Sequence, residues 1–101
     1  DALHVLLEST PPGVNLAAVR TSIQSLAHVH DVHDLHATQI ATGVPVLTAH
    51  VVVDDSCFHD GHLMQMLDQV QAEIRESFAI EHTTIQFEAV THSVHEYATH
   101  D

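Results

Sequence analysis

Val44-Pro45-Val46-Leu47-Thr48-Ala49-His50-Val51-Val52-Val53 is the stretch from which the fold of this chain can be read. β-Branched residues crowd it, and side chains on an extended backbone alternate between two faces. Leu47, Ala49, Val51 and Val53 therefore share one face, and Val46, Thr48, His50 and Val52 the other. The first set is the better core candidate, which turns His50 away from the core, toward solvent or a partner. Just upstream, Ala41-Thr42-Gly43 supplies a turn, and Val32 to Ile40 lacks helical spacing. Two extended runs joined this tightly predict an antiparallel hairpin.

Farther upstream, Thr10-Pro11-Pro12-Gly13 cannot be helical, and Asn15 offers an N-cap oxygen to the segment beginning at Leu16. Leu16, Val19, Ile23 and Leu26 then recur at the spacing of one helical face, and Ala27 to Asp31 lead out of that helix. Downstream of the hairpin, Asp54 to Gly61 reads as an acidic loop. Leu63, Met66, Leu67, Val70, Ile74 and Phe78 come next at helical spacing, opposite Gln65, Asp68, Gln69, Glu73 and Glu76. The two methionines at the start of this helix, Met64 and Met66, are expected in the core. Thr83 to Val90 alternates again and carries Glu88 on its more polar face. The order α-β-β-α-β predicts an α+β, ferredoxin-like sandwich, with a small antiparallel or mixed sheet and two helices on one face. Its other face stays open, with Val46, Val52 and Val90 on it, and a second copy is expected to cover it. Residues 10–90 make up this domain, residues 1–9 a lead-in and residues 91–101 a flexible tail.

Charge narrows the function. The 101 residues hold two basic side chains, Arg20 and Arg75, against 14 Asp and Glu and 12 His, for a net charge of −12 with neutral imidazoles. Nucleic acid is excluded as a partner, because phosphate binding rests on a basic footprint. An anionic membrane surface is disfavoured likewise. No apolar run approaches the ~18 to 20 residues of a membrane span. The first residue is not Met, so the chain is read as a piece of something longer. Cys57 is the single cysteine, so no intrachain disulfide is expected, which fits a reducing compartment.

Acids and histidines with almost no competing cation point to divalent metal, since imidazole and carboxylate are the usual donors for zinc and its neighbours. His33, His50 and Glu88 come from three different strands, and His62 starts the second helix. His50 and Glu88 share the open face. His33 shares parity with the apparent core residue Leu35, so a bulge or an irregular strand start must rotate it if it is to join them. A second tier comprises His36, Cys57, His59 and Asp60, three of them packed into the loop Cys57-Phe58-His59-Asp60-Gly61-His62. His28, His30, His92, His95 and His100 are expected to be solvated. No nucleophile, base and anion-stabilising group can be placed together, so an enzyme is not expected.

Four ordered motifs then resemble a known family. Thr10 to Asn15 (Thr-Pro-Pro-Gly-Val-Asn), Val32 to His36 (Val-His-Asp-Leu-His), Leu47 to Val53 and Ile80 to Glu88 are similar, in order and spacing, to the C-terminal cytoplasmic domain of cation diffusion facilitator transporters. The resemblance covers about Leu6 to Glu88. It implies a domain following the last transmembrane helix, on the cytoplasmic face of the inner membrane, that dimerises and binds zinc, cobalt, cadmium or nickel. It also implies metal-ligand roles for His33, His50 and Glu88, and for His62 by a helix-start histidine used in some members. Gln86 stands where certain members place another ligand histidine, and Thr38 where the family often has Trp. The expected function is a non-catalytic, regulatory domain of a metal efflux transporter, a homodimer joined to its own transmembrane domain. The alternatives are a free-standing metal chaperone or storage module, and a small-molecule sensing module of similar topology.

Overall fold

A computed structural model describes residues 11, 13–41 and 43–91. The lead-in at residues 1–9, and all but the first residue of the tail at 91–101, lie outside them. The elements are α1 (Leu16–Gln24), β1 (Val29–Ala41), β2 (Val44–Val53), a 3₁₀ turn (Asp55–Phe58), α2 (Leu63–Phe78) and β3 (His82–Ala89). Each boundary has a local cause. Gly13 takes φ +85°, and the Asn15 side chain accepts from the N–H of Ala18 at 3.1 Å, capping α1. Gly43 takes φ +78° in the hairpin turn, beside the Ala41–Val44 pair. Ala79 ends α2 in the left-handed region at φ +58°, its N–H donating to the Arg75 carbonyl at 3.0 Å.

The sheet has the order β1-β2-β3. β1 and β2 form the expected antiparallel hairpin, whereas β3 runs parallel to β2. A parallel neighbour needs a crossover, and α2 supplies it. Val19 and Ile23 of α1 and Met66, Val70 and Ile74 of α2 pack with Leu47, Ala49, Val51 and Val53 in one core. The face chosen from the alternation of residues 44–53 is thus the buried one. At about 1.5–3 kcal/mol per fully buried aliphatic side chain, this layer carries most of the hydrophobic stabilisation.

Three details differ from the sequence reading. β1 begins at Val29, inside the segment read as a connection, because His28 at φ +71° turns the chain directly into the sheet. Of the methionine pair, Met66 is core but Met64 is 68% exposed, being two residues away on the helix and so on its opposite side. On the helix-free face Val46 is half-buried and Val52 is buried within the chain itself, whereas Val90 lies past the end of β3 in a helical turn.

Candidate metal centre

β1 is irregular where it matters. Its partners run Val29–Val53 and then Asp31–Val52, and later His33–His50 and then His36–Thr48, so each jump places one extra residue in β1. An extra residue in one strand rotates the side chains beyond it relative to those before it. At the second jump Asp34 adopts φ +49°. Leu35 consequently turns into the core at 7% exposure, while His33 stays on the face of His50. That is the rotation the sequence required but could not supply.

On β3, Gln86 pairs with His50 and Glu88 with Val52, so Glu88 lies one same-face step beyond His50. Its carboxylate reaches both imidazoles. His33 Nε2 lies 2.9 Å from Glu88 Oε1, and His50 Nδ1 lies 2.6 Å from Oε2. The two rings meet edge to face with centroids 5.1 Å apart. Gln86 Nε2 donates to Glu88 Oε2 at 3.4 Å. The imidazoles thereby lid the carboxylate, whose side chain is 1% exposed against 19% for His33 and 30% for His50.

Burial acts to raise the Glu88 pKa, but hydrogen bonds and charge from His33 and then His50 outweigh it and hold the carboxyl below the ordinary glutamate value. Glu88 is the one charged residue among the buried polar groups described. Among the described residues, His33, His50 and Glu88 are also the one group of three or more His, Cys, Asp or Glu whose donor atoms all lie within 4.8 Å of one another. Two imidazole nitrogens and a carboxylate oxygen on rigid strands match the donor set of zinc and related borderline ions, with one position left open. Asp34 was missed as a candidate. Its carboxylate stands 3.5 Å from His33 Nδ1 and 3.7 Å from His50 Nδ1, placed there by the bulge. The signal available in the sequence was only its position beside His33.

The other candidates are dispersed. His36 lies on the same face opposite Thr48, and lines a recess of about 310 Å³ with Asp34, Thr48, His50, Thr84 and Gln86. His62 is not brought to the three converging donors: its Nδ1 lies 3.0 Å from Asp60 Oδ2 and its ring stacks on His28 at 6.5 Å. His59 is exposed. Cys57 is 1% exposed in the core, and burial, then the charges of Asp54 and Asp60, push its thiol pKa up. Burial in the core also keeps it away from the three converging donors. His28 and His30, read as solvated, are both hydrogen-bonded to Asp54.

A family model described as the cytoplasmic domain of cation efflux protein matches residues 11–90. The chain belongs to this family. The metal cation efflux system protein CzcD of Cupriavidus metallidurans is 38% identical over 88 residues, covering 87% of this chain and 27% of CzcD. The cadmium, cobalt and zinc/H(+)-K(+) antiporter of Bacillus subtilis is 31% identical over 93 residues, covering 92% of this chain and 29% of the antiporter. This cytoplasmic domain therefore spans less than a third of the length of these relatives. The metal-bound C-terminal domain of the CzcD transporter matches with a TM-score of 0.65 at 36% identity, covering 74% of this chain and 99% of that one. The zinc form of CzrB has a TM-score of 0.65 at 21% identity, over 82% of this chain and 93% of that one, and shares the fold. Among the described residues, no helix is long and apolar enough to cross a membrane.

Proposed function

We propose that this domain senses divalent metal for an efflux transporter: it binds a zinc-like ion through His33, His50 and Glu88, tightens its homodimer and promotes export. The observation that carries the reading is the convergence of these three donors, one from each strand. Cobalt, cadmium and nickel are met by the same donor set. The names of the relatives, which are metal efflux proteins of greater length, support a transmembrane domain elsewhere in the protein and a cytosolic place for this one.

The residues make a switch by simple electrostatics. His33 and His50 meet the two oxygens of Glu88 and hold β1, β2 and β3 together on the open face. A bound divalent ion adds positive charge where the chain, at −12, has an excess of negative charge. Two such protomers repel one another, over about 8 Å at physiological salt. Lowering that repulsion at the open face favours the closer dimer, a population shift toward the state that binds metal better.

Calorimetry with zinc tests the site. His50→Ala and Glu88→Ala are each expected to weaken binding at least tenfold, about 1.4 kcal/mol. Unchanged affinity in both variants would remove these residues from the account.

A further inference from the structure

A second pair of imidazoles converges on a carboxylate at the opposite end of β1 from the hairpin turn. The first irregularity of β1 leaves His30 as the extra residue between the Val29–Val53 and Asp31–Val52 pairs. Asp54 comes directly after β2, and its N–H donates to the His28 carbonyl at 3.1 Å, closing the corner. Its carboxylate takes a different imidazole on each oxygen: His28 Nδ1 lies 2.7 Å from Oδ2, and His30 Nε2 is hydrogen-bonded to Oδ1. This repeats, on separate residues, the relation that His33 and His50 have with Glu88. At the first centre the extra residue follows His33 and turns Leu35 inward; here the extra residue is itself a histidine that meets the acid.

Two further donors flank the corner. The His62 ring stacks on that of His28 with 23° between planes, and His62 Nδ1 lies 3.0 Å from Asp60 Oδ2. The basic residues of the chain are elsewhere, Arg20 within α1 and Arg75 in the last turn of α2. We propose that His28, His30 and Asp54 form a second site for a divalent cation of the zinc class, with His62 and Asp60 beside it. The proposal does not depend on the His33–His50–Glu88 site holding metal. Its donors are gathered less tightly than the first set, and about half of each imidazole is exposed. The side chains therefore close on the ion by rotation, and affinity is lower than at a centre whose donors are already in place.

Zinc calorimetry and ¹¹³Cd NMR on the whole 101-residue chain provide the test. With the first centre disabled by His50→Ala and Glu88→Gln, the chain is expected to retain a weaker zinc equivalent and a cadmium resonance. Adding His30→Gln and Asp54→Asn should abolish both, with the far-UV spectrum unchanged. Should the disabled chain not fold, His30→Gln in the otherwise native chain is expected to lower the zinc stoichiometry by one ion per protomer. Loss of all zinc uptake with the first centre disabled, or uptake indifferent to His30 and Asp54, would reduce the corner to a hydrogen-bonded staple. Failure of the first centre alone reads differently: zinc uptake would then respond to His30 and not to His50.

Discussion

With its side chain 1% exposed, Glu88 stays ionised because two imidazoles supply what water would otherwise give. Its folded pKa lies below the ordinary value of 4.5, so the unfolded chain takes up the proton first as acid is added. The stabilisation is fully present above about 4.5 and is lost as pH falls through the lower, folded value. Glu88→Gln should therefore be less stable than the native chain by about 1–3 kcal/mol at neutral pH, since the imidazoles lose a charged acceptor. It should also lose less stability than the native chain as pH falls below about 4.5 toward the acid limit. Urea midpoints across that range decide it, and parallel acid limbs would place the titrating group elsewhere. Glu88 was legible as a candidate because the alternation of 83–90 put it on the polar face. Its burial was not, because the cover comes from His33, which is 55 positions away in the chain.

At the level of single elements, α1, β2 and α2 were readable because their apolar residues keep one period from end to end. β1 was not. Its register shifts three times, after Val29, after His33 and after Gln39, and each shift exchanges inward and outward positions for the residues beyond it. A one-period template cannot track such a strand, and the parity conflict between His33 and Leu35 was its visible trace. The end of α2 allows a direct test of local backbone cost. Ala79 sits at φ +58° and ψ +36°, where a residue with a Cβ is disfavoured by roughly 1–2 kcal/mol and glycine is not. After subtracting the extra unfolded-state freedom of glycine, Ala79→Gly should stabilise the domain by about 0.5–1 kcal/mol. A rise in Tm of a few degrees is the expected reading, and a fall would show that the Ala79 methyl group contributes packing that outweighs the strain.

The whole molecule joins an acidic chain to an open sheet face. Two arginines cannot balance 14 carboxylates, so the dimerisation proposed above, through the face of His33, His50 and Glu88, would bring like charges together unless a cation intervenes. Zinc should accordingly lower the radius of gyration of the dimer in small-angle scattering, and Glu88→Ala should suppress that response. Identical scattering with and without excess zinc would overturn the switch while leaving simple metal binding in place. The sequence by itself determined the element order, the buried face of β2 and the set of imidazoles and acids available as donors. All of these arise from local periodicity or from composition. Only the tertiary structure decided that β3 lies parallel to β2, and that extra residues in β1 turn Leu35 inward while His33 keeps the face of Glu88, and bring His30 to Asp54. It also sent Cys57 into the core. Those outcomes depend on register between distant strands, which no local period encodes.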